Sequence, residues 1–406
     1  MRVLIADKLT HGALHAIETL GHDVEFSPAL TAETLVDALA SVKPEVLVVR
    51  STKVTAEALG ASSSLGLVIR AGAGVNTIEL STASKLGIFV ANCPGKNAVA
   101  VAELTIGILI SLDRRIAEAS QAMHEGRWEK SSFSKAEGLF GRRLGLVGFG
   151  ATAREVAIRA IAMGMNVRAW TPRLEASMAS PHGVQVAESL DALLTNSDAV
   201  SVHCPLNVST RGLIGARELS LIPAGGMFIH TARGGIVDDT ALAAHAKSGQ
   251  LRVGLDVFEG EPASSSDSFD GDVREVASAV LTPHIGASTT QALESTGAEV
   301  TRIIHDFATL GTVHNVVNIA DASKGRHRLI VRHEDRVGIL AGVLDVLRRA
   351  NHNVKEMQNV IFDGDKGDVV AASATIIVEQ IPSPDLLQEL RSLDAILGVD
   401  LRSSSS

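Results

Sequence analysis

One hexapeptide constrains this chain more than any bulk property. Gly148-Phe149-Gly150-Ala151-Thr152-Ala153 follows an apolar run that reads as a strand, 144–149, and it opens a helical pattern. Glycines in this setting serve a tight turn and let a pyrophosphate approach the backbone, where the N–H groups of a helix N-terminus receive it. Ala153 is the third small residue, allowing close packing of helix on strand. Alone, the motif fits a plain strand-to-helix turn equally well. With the strand before it and the helix after it, it points to a dinucleotide site at Gly148, Gly150, Ala151 and Thr152. Such a site requires a parallel α/β sheet.

The flanking sequence has the matching rhythm. Strand-type runs at 3–6, 46–49 and 67–69 are separated by helical patterns such as 10–20 and 32–39. A second series follows at 144–149, 167–170, 199–203, 227–231, 253–257 and 279–281. Near-continuous apolar strands alternating with helices predict two doubly wound parallel sheets, each covered on both faces. Between them, 97–125 reads as helix. Its first half is apolar almost all round: Val99, Val101, Leu104, Ile106, Ile108, Leu109, Ile110 and Leu112. A helix of this kind is buried on every side, either between two domains or against a second subunit as well. From Arg326 the order becomes βαββαβ: strands 329–332, 354–362, 369–378 and 396–401, helices 337–350 and 386–393, and a turn at 363–367. That order predicts a compact α+β module. Residues 264–268 read as a surface loop, 320–325 as a linker and 403–406 as a frayed tail.

Bulk properties exclude several classes. A formal charge of −9 over 406 residues argues against nucleic-acid binding, which needs a basic surface. Cys93 and Cys204 are the two cysteines and lack metal-ligand spacing, so the chain suits a reducing compartment and no metal is expected. Residues 1–7 lack the apolar length of a secretory leader, and 98–112 is too short to span a bilayer. The expected location is cytoplasmic.

Three polar residues at successive strand ends carry the chemistry. Arg233 lies in Thr231-Ala232-Arg233-Gly234-Gly235, Glu261 in Glu259-Gly260-Glu261-Pro262, and His284 in Thr282-Pro283-His284-Ile285-Gly286. Ligands of open α/β sheets bind beyond the carboxyl ends of the strands, so these three can converge on one crevice. After the strand 167–170 the usual acidic ribose partner is absent. Thr171 stands in its place and Arg173 follows, which fits either a solvated arginine or a site open to a 2′-phosphate.

The segments GFGATA, HTARGG, LDVFEGEP and TPHIGAST together resemble the D-isomer-specific 2-hydroxyacid dehydrogenases, over essentially all of 1–319. RSTKVT at 50–55, AGAGVNTIEL at 71–80 and GRWEK at 126–130 are most similar to the branch that acts on 3-phospho-D-glycerate. The C-terminal module resembles an ACT-type effector domain. The resemblance implies a flavodoxin-like substrate domain over 1–96 and 287–319, a Rossmann cofactor domain over 97–286 and an ACT-type domain over 326–402.

It also implies roles. His284 would be the base, imidazole being suited to proton transfer near neutral pH. Glu261 would orient His284, and Arg233 would clamp the substrate carboxylate. NAD or NADP would be held by the hexapeptide, Thr171, Arg173, His203, Cys204, Pro205, Thr231, Ala232, Asp256 and Gly286. The substrate, a phosphorylated hydroxy acid, would meet Arg50, Ser51, Lys53, Ala73, Gly74 and Asn76, with Lys130 or Arg127 reaching in from a neighbouring subunit of a homodimer or homotetramer. His333 and Asn353 match positions that bind serine in regulated members. Asp335 stands where those members carry Asn, and Val337 where they carry Pro, so serine and another amino acid both stand open as effector. Oxidation of 3-phospho-D-glycerate, reduction of glyoxylate, hydroxypyruvate or another 2-ketoacid, and non-enzymatic nucleotide sensing as a corepressor are the three functions that fit.

Overall fold

Short, fully buried apolar runs seed the sheets. The computed structural model describes residues 1–262, 268–320, 327–362 and 370–403. The first sheet contains β1 (Arg2–Ile5), β2 (Asp23–Phe26), β3 (Val46–Val49), β4 (Leu67–Arg70) and β5 (Phe89–Asn92). All its pairings are parallel, in the order β2-β1-β3-β4-β5. Every residue of β3 is buried, as a central strand covered by helices on both faces must be. The second sheet contains β6 (Arg143–Val147), β7 (Asn166–Trp170), β8 (Gln185–Val186), β9 (Ala199–Val202), β10 (Gly226–His230), β11 (Leu251–Leu255) and β12 (Val280–Leu281). It is also parallel throughout, in the order β12-β11-β10-β9-β6-β7-β8. The order reverses between β6 and β9, the switch point where α/β sheets open a crevice for ligands.

The helical stretch after β5 is two helices, Ala98–Arg114 and Ile116–His124, where the sequence reads as one. Arg115 breaks it by taking a left-handed conformation, φ 54°. Its guanidinium then pairs with Glu118 and lies 4.7 Å from the centre of the Phe133 ring. The first helix is buried along most of its surface, and within the single chain Val99 is 41% exposed. Helix Thr290–Leu310 returns the chain to the first sheet, where Val300, Ile303 and Ile304 join Ile17 in one core. Buried Glu299 ties the two crossing segments together, accepting from Arg302 at 2.6 Å and Asn315 at 2.7 Å and pairing with Lys96 at 3.2 Å.

Residues Met1–Asn318 form one compact unit and Ile319–Ser406 a second. The second unit holds β13 (His327–Glu334), β14 (Val354–Ile361), β15 (Ala371–Val378) and β16 (Ile396–Ser403), antiparallel in the order β14-β15-β13-β16. Helices Ile339–Arg349 and Pro384–Ser392 pack Val343, Val346, Leu347, Leu386 and Leu390 onto Leu329, Val331 and Ile376. This is the βαββαβ order the sequence predicts. The serine-rich stretch at 264–267, the linker at 321–325, the turn at 363–367 and the tail at 404–406 lie outside the described residues. Among the described residues no helix is long and apolar enough to cross a membrane.

Candidate active site

Arg233, Glu261 and His284 meet at the carboxyl ends of β10, β11 and β12. Glu261 Oε2 accepts from His284 Nδ1 at 2.6 Å, and Glu261 Oε1 accepts from the Phe258 N–H at 3.0 Å. Burial pushes the Glu261 carboxyl up, but the bonds from His284 and Phe258 and the nearby Arg233 charge outweigh it and hold the group below its ordinary value. His284 sits in a left-handed conformation, φ 52°, which a residue with a Cβ adopts only when its surroundings impose it. Asp256 imposes it here. This buried carboxylate accepts from Thr282 Oγ1 at 2.6 Å and the amides of Ile285 at 2.9 Å and Gly286 at 2.8 Å, so the turn carrying His284 is wrapped around it.

The turn carrying Arg233 presses on the same strand-end loops. A Cβ at Gly234 would lie 1.9 Å from the Phe258 carbonyl oxygen, so only glycine permits this approach. Arg233 Nη1 donates to the Ala232 carbonyl at 2.6 Å. The residue lines a cavity of about 560 Å³ together with Lys8, Arg50, Arg70, Asp256 and His284. Arg70 Nε donates to the Arg50 carbonyl at 3.0 Å. Burial, with the charges of Arg233 and Arg50 beside it, pulls the Arg70 guanidinium below its ordinary value. Arg70 and Lys8 are cleft cations that the sequence reading missed. Arg70 closes β4 just as Arg233 follows β10, and that strand-end position was the available signal.

The remaining expected substrate residues divide. Arg50 and Ser51 line the cavity, but the amides of Arg50, Ser51 and Thr52 are all donated to Asp7 Oδ2, at 2.7, 3.0 and 3.0 Å. Lys53 is exposed and does not line the cavity. Lys130 is also exposed and outside it, and Arg127 pairs with Glu125 and Glu129 of its own segment. Ala73, Gly74 and Asn76 line an adjoining space of about 280 Å³, with Thr152, His203, Cys204, Pro205, Thr231 and Ala232 on its other walls. Arg233 borders both spaces.

That adjoining space begins at the glycine turn. Gly148 has φ +97°, and a Cβ there would lie 2.8 Å from the Cys204 amide nitrogen. Gly150 caps helix Ala151–Ala162, and nothing lies within 4 Å of where its Cβ would be. An open glycine at the N-terminus of a twelve-residue helix fits a pyrophosphate. His203 pairs with Ser201 Oγ at 2.8 Å, and burial, with His230 nearby, pushes its imidazole down to about 3. Thr171 follows β7 and its carbonyl accepts the Leu174 N–H at 3.0 Å, closing a turn on which Arg173 is exposed.

In the C-terminal unit His333 is buried. Its Nδ1 donates to the Glu334 carbonyl at 2.8 Å and its Nε2 lies 3.1 Å from the side-chain amide of Asn359. Asp335 and Asn353 are exposed, and among the described residues no side-chain bond joins either to His333.

Comparison with known proteins gives the family. Residues 106–286 match the D-isomer specific 2-hydroxyacid dehydrogenase, NAD binding domain. A D-3-phosphoglycerate dehydrogenase of Escherichia coli is 32% identical over 397 residues, 94% of this chain and 95% of that protein. A hydroxypyruvate reductase of Thermotoga maritima is 41% identical, covering 68% of this chain and 88% of its own length. A D-3-phosphoglycerate dehydrogenase of Methanocaldococcus jannaschii is 34% identical over 79% of this chain, which spans 60% of that longer relative. The solved structure of a glyoxylate reductase from Paecilomyes thermophila superposes with a TM-score of 0.70 at 26% identity, over 78% of this chain and 98% of the other. The chain belongs to the D-isomer specific 2-hydroxyacid dehydrogenase family.

Proposed function

We propose that this chain oxidises 3-phospho-D-glycerate to 3-phosphohydroxypyruvate on a route to serine, using NAD or NADP. One observation carries the reading: Lys8, Arg50, Arg70 and Arg233 share a single cavity with His284. A substrate with an anion at each end of a short hydroxy acid complements such a wall. Arg233, with the backbone around Ala73 and Gly74, holds the carboxylate; Arg50, Arg70 and Lys8 hold the phosphate. His284 takes the C2 hydroxyl proton at Nε2 during oxidation and returns it during reduction. Glu261 fixes the ring through Nδ1 and stabilises the imidazolium that forms. When bound, the nicotinamide supplies the hydride acceptor for C2, leaving a ketoacid, the reduced cofactor and one proton. Asp256 has one carboxylate oxygen engaged by a single amide, which leaves a lone pair for a carboxamide N–H.

The finer assignments follow from the same reading. The neutral Thr171 in place of a carboxylate admits a 2′-phosphate. A homo-oligomer in a reducing cytoplasm fits the unpaired cysteines and exposed Trp128 and Met123 beside Lys130. The C-terminal unit serves as an ACT-type module for an amino-acid effector. The test is a substrate panel: 3-phosphoglycerate, D-glycerate, glyoxylate and hydroxypyruvate, each with both cofactors. Highest efficiency on the phosphorylated pair supports the reading. Preference for glyoxylate or hydroxypyruvate overturns it in favour of a reductase, and no turnover at all overturns it in favour of a nucleotide sensor.

A further inference from the structure

His230 ends β10, the strand that delivers Arg233, and it is wholly buried. It is paired in register with Val202 of β9 on one side and Leu255 of β11 on the other. Its Nε2 lies 2.9 Å from the Arg233 carbonyl oxygen. A carbonyl only accepts, so Nε2 carries the proton and a neutral ring leaves Nδ1 bare. Nδ1 is buried with no partner among the described residues. An unpaired buried nitrogen is unfavourable, and an apolar side chain at this strand position would avoid it. What the imidazole gains in return is the bond to Arg233.

We infer that His230 is a positioning residue: it pins the main chain of Arg233 and so sets where the substrate carboxylate is held. The inference rests on the reading of Arg233 as the carboxylate ligand. Thr231 before the turn bonds Thr105 Oγ1 at 2.9 Å and the Gly235 carbonyl after it accepts the Gly212 N–H at 2.9 Å, so His230 acts on the residues between them. The Ala232 carbonyl is taken by the Arg233 guanidinium itself, and the Arg233 carbonyl by His230. Immediately beyond, Gly234 lies against the Phe258 carbonyl, and the Phe258 amide binds Glu261. A shift of the Arg233 carbonyl therefore moves Arg233 and disturbs the loop that holds the His284–Glu261 pair. Burial pushes the imidazole down to about 4, against the opposing effects of the Arg233 carbonyl and Glu261, so the ring stays neutral through the working range.

The test uses the full-length chain and three variants, His230→Leu, His230→Gln and Arg233→Ala. Leu removes the donor, whereas Gln offers a side-chain N–H at a reach like that of Nε2. His230→Leu is expected to raise the KM of the hydroxy acid about tenfold or more, because small misplacements of a substrate clamp are costly. The cofactor KM should stay within about twofold, since the pyrophosphate cradle is elsewhere. His230→Gln should recover most of the loss. A folded His230→Leu enzyme with an unchanged hydroxy-acid KM overturns the inference, as does equal damage from Leu and Gln. If His230→Leu fails to fold, 15N spectra of the unmodified protein decide: an Nε2–H tautomer for His230 supports the inference and an Nδ1–H tautomer overturns it. Arg233→Ala separates the two levels. An unchanged KM in that variant removes the reading of Arg233; a raised KM beside a normal His230→Leu removes only the role of His230.

Discussion

Replacing Arg70 with Met tests the substrate assignment most directly. Met keeps much of the length of the side chain and removes the guanidinium. A charge-assisted bond to a phosphate in a partly buried site is worth about 1.5–3 kcal/mol, or roughly ten- to a hundredfold in kcat/KM. Two local terms act on the unliganded protein and oppose one another. Loss of the Arg70 Nε bond to the Arg50 carbonyl costs about 1 kcal/mol. Relief of repulsion from Arg50 and Arg233, which together with burial pulls this guanidinium below its ordinary value, offsets part of that cost. The melting temperature should therefore change little while efficiency falls. The assay compares 3-phosphoglycerate with D-glycerate, which has the same carbon skeleton without the phosphate, on both the unmodified and the Arg70→Met enzymes. The four efficiencies form a double-mutant cycle. A loss of about tenfold or more on the phosphorylated substrate and under about twofold on D-glycerate is expected. Equal losses on both substrates would refute a phosphate contact and place Arg70 at the carboxylate or in the scaffold.

Three other perturbations have definite expected outcomes. The unmodified enzyme should use NADP within about tenfold of NAD in kcat/KM, and Thr171→Asp should restore a strong NAD preference by repelling the 2′-phosphate; a hundredfold NAD preference without the substitution refutes this. Glu261→Gln should lower turnover, because the carboxylate that fixes the His284 ring through Nδ1 at 2.6 Å is removed; unchanged turnover would show that the pair is not catalytic. Glu299 is held down from 4.5 to about 2, first by the bond from Arg302, with burial opposing and Lys96 and Asn315 adding to the effect. A depressed carboxyl contributes stability above its unfolded value and loses it as pH falls toward the folded one. Thermal melts should thus show an acid limb between about pH 4.5 and 2 that is shallower in Glu299→Gln, and identical limbs would contradict a stabilising role for the Glu299 pairing with Arg302, Lys96 and Asn315.

Legibility in the sequence followed burial. The strands β3, β9 and β10 are buried at every position and stand out as apolar runs. Strand β2 is largely exposed and β8 is two residues of an edge, so neither has a hydrophobic pattern to read. The break at Arg115 was hidden for another reason: composition is helical on both sides, and the left-handed arginine is held by Glu118 three residues on and by the Phe133 ring further along the chain, not by propensity. Arg233, Glu261 and His284 were legible because each follows an apolar strand. Arg70 obeys the same rule, but Ala71-Gly72-Ala73-Gly74 after it reads only as a turn. Folding lays its guanidinium over the bare face of Gly72, where a Cβ would lie 1.7 Å from Nη1. The prominence of Lys53 misled for the complementary reason: Asp7 gathers the amides before it, and that contact spans more than forty residues of sequence.

Asp7 and Asp256 explain how a chain of net charge −9 presents a cationic cavity. Each is an acid at the end of a strand, where its charge would otherwise oppose an anionic substrate. Asp7 accepts three amides, from Arg50, Ser51 and Thr52, and Asp256 accepts Thr282 Oγ1 and two amides, from Ile285 and Gly286. A carboxylate satisfied by N–H and O–H dipoles does not need an arginine as counter-ion. Lys8, Arg50, Arg70 and Arg233 therefore line the cavity without a direct ion pair to either acid among the described residues. The same bonds also fix the loop that carries Arg50 on one wall and the turn that carries His284 on the other. Preorganisation and charge selectivity thus arise from the same pair of residues. Replacing either acid by its amide should therefore loosen the wall it holds, besides removing one negative charge.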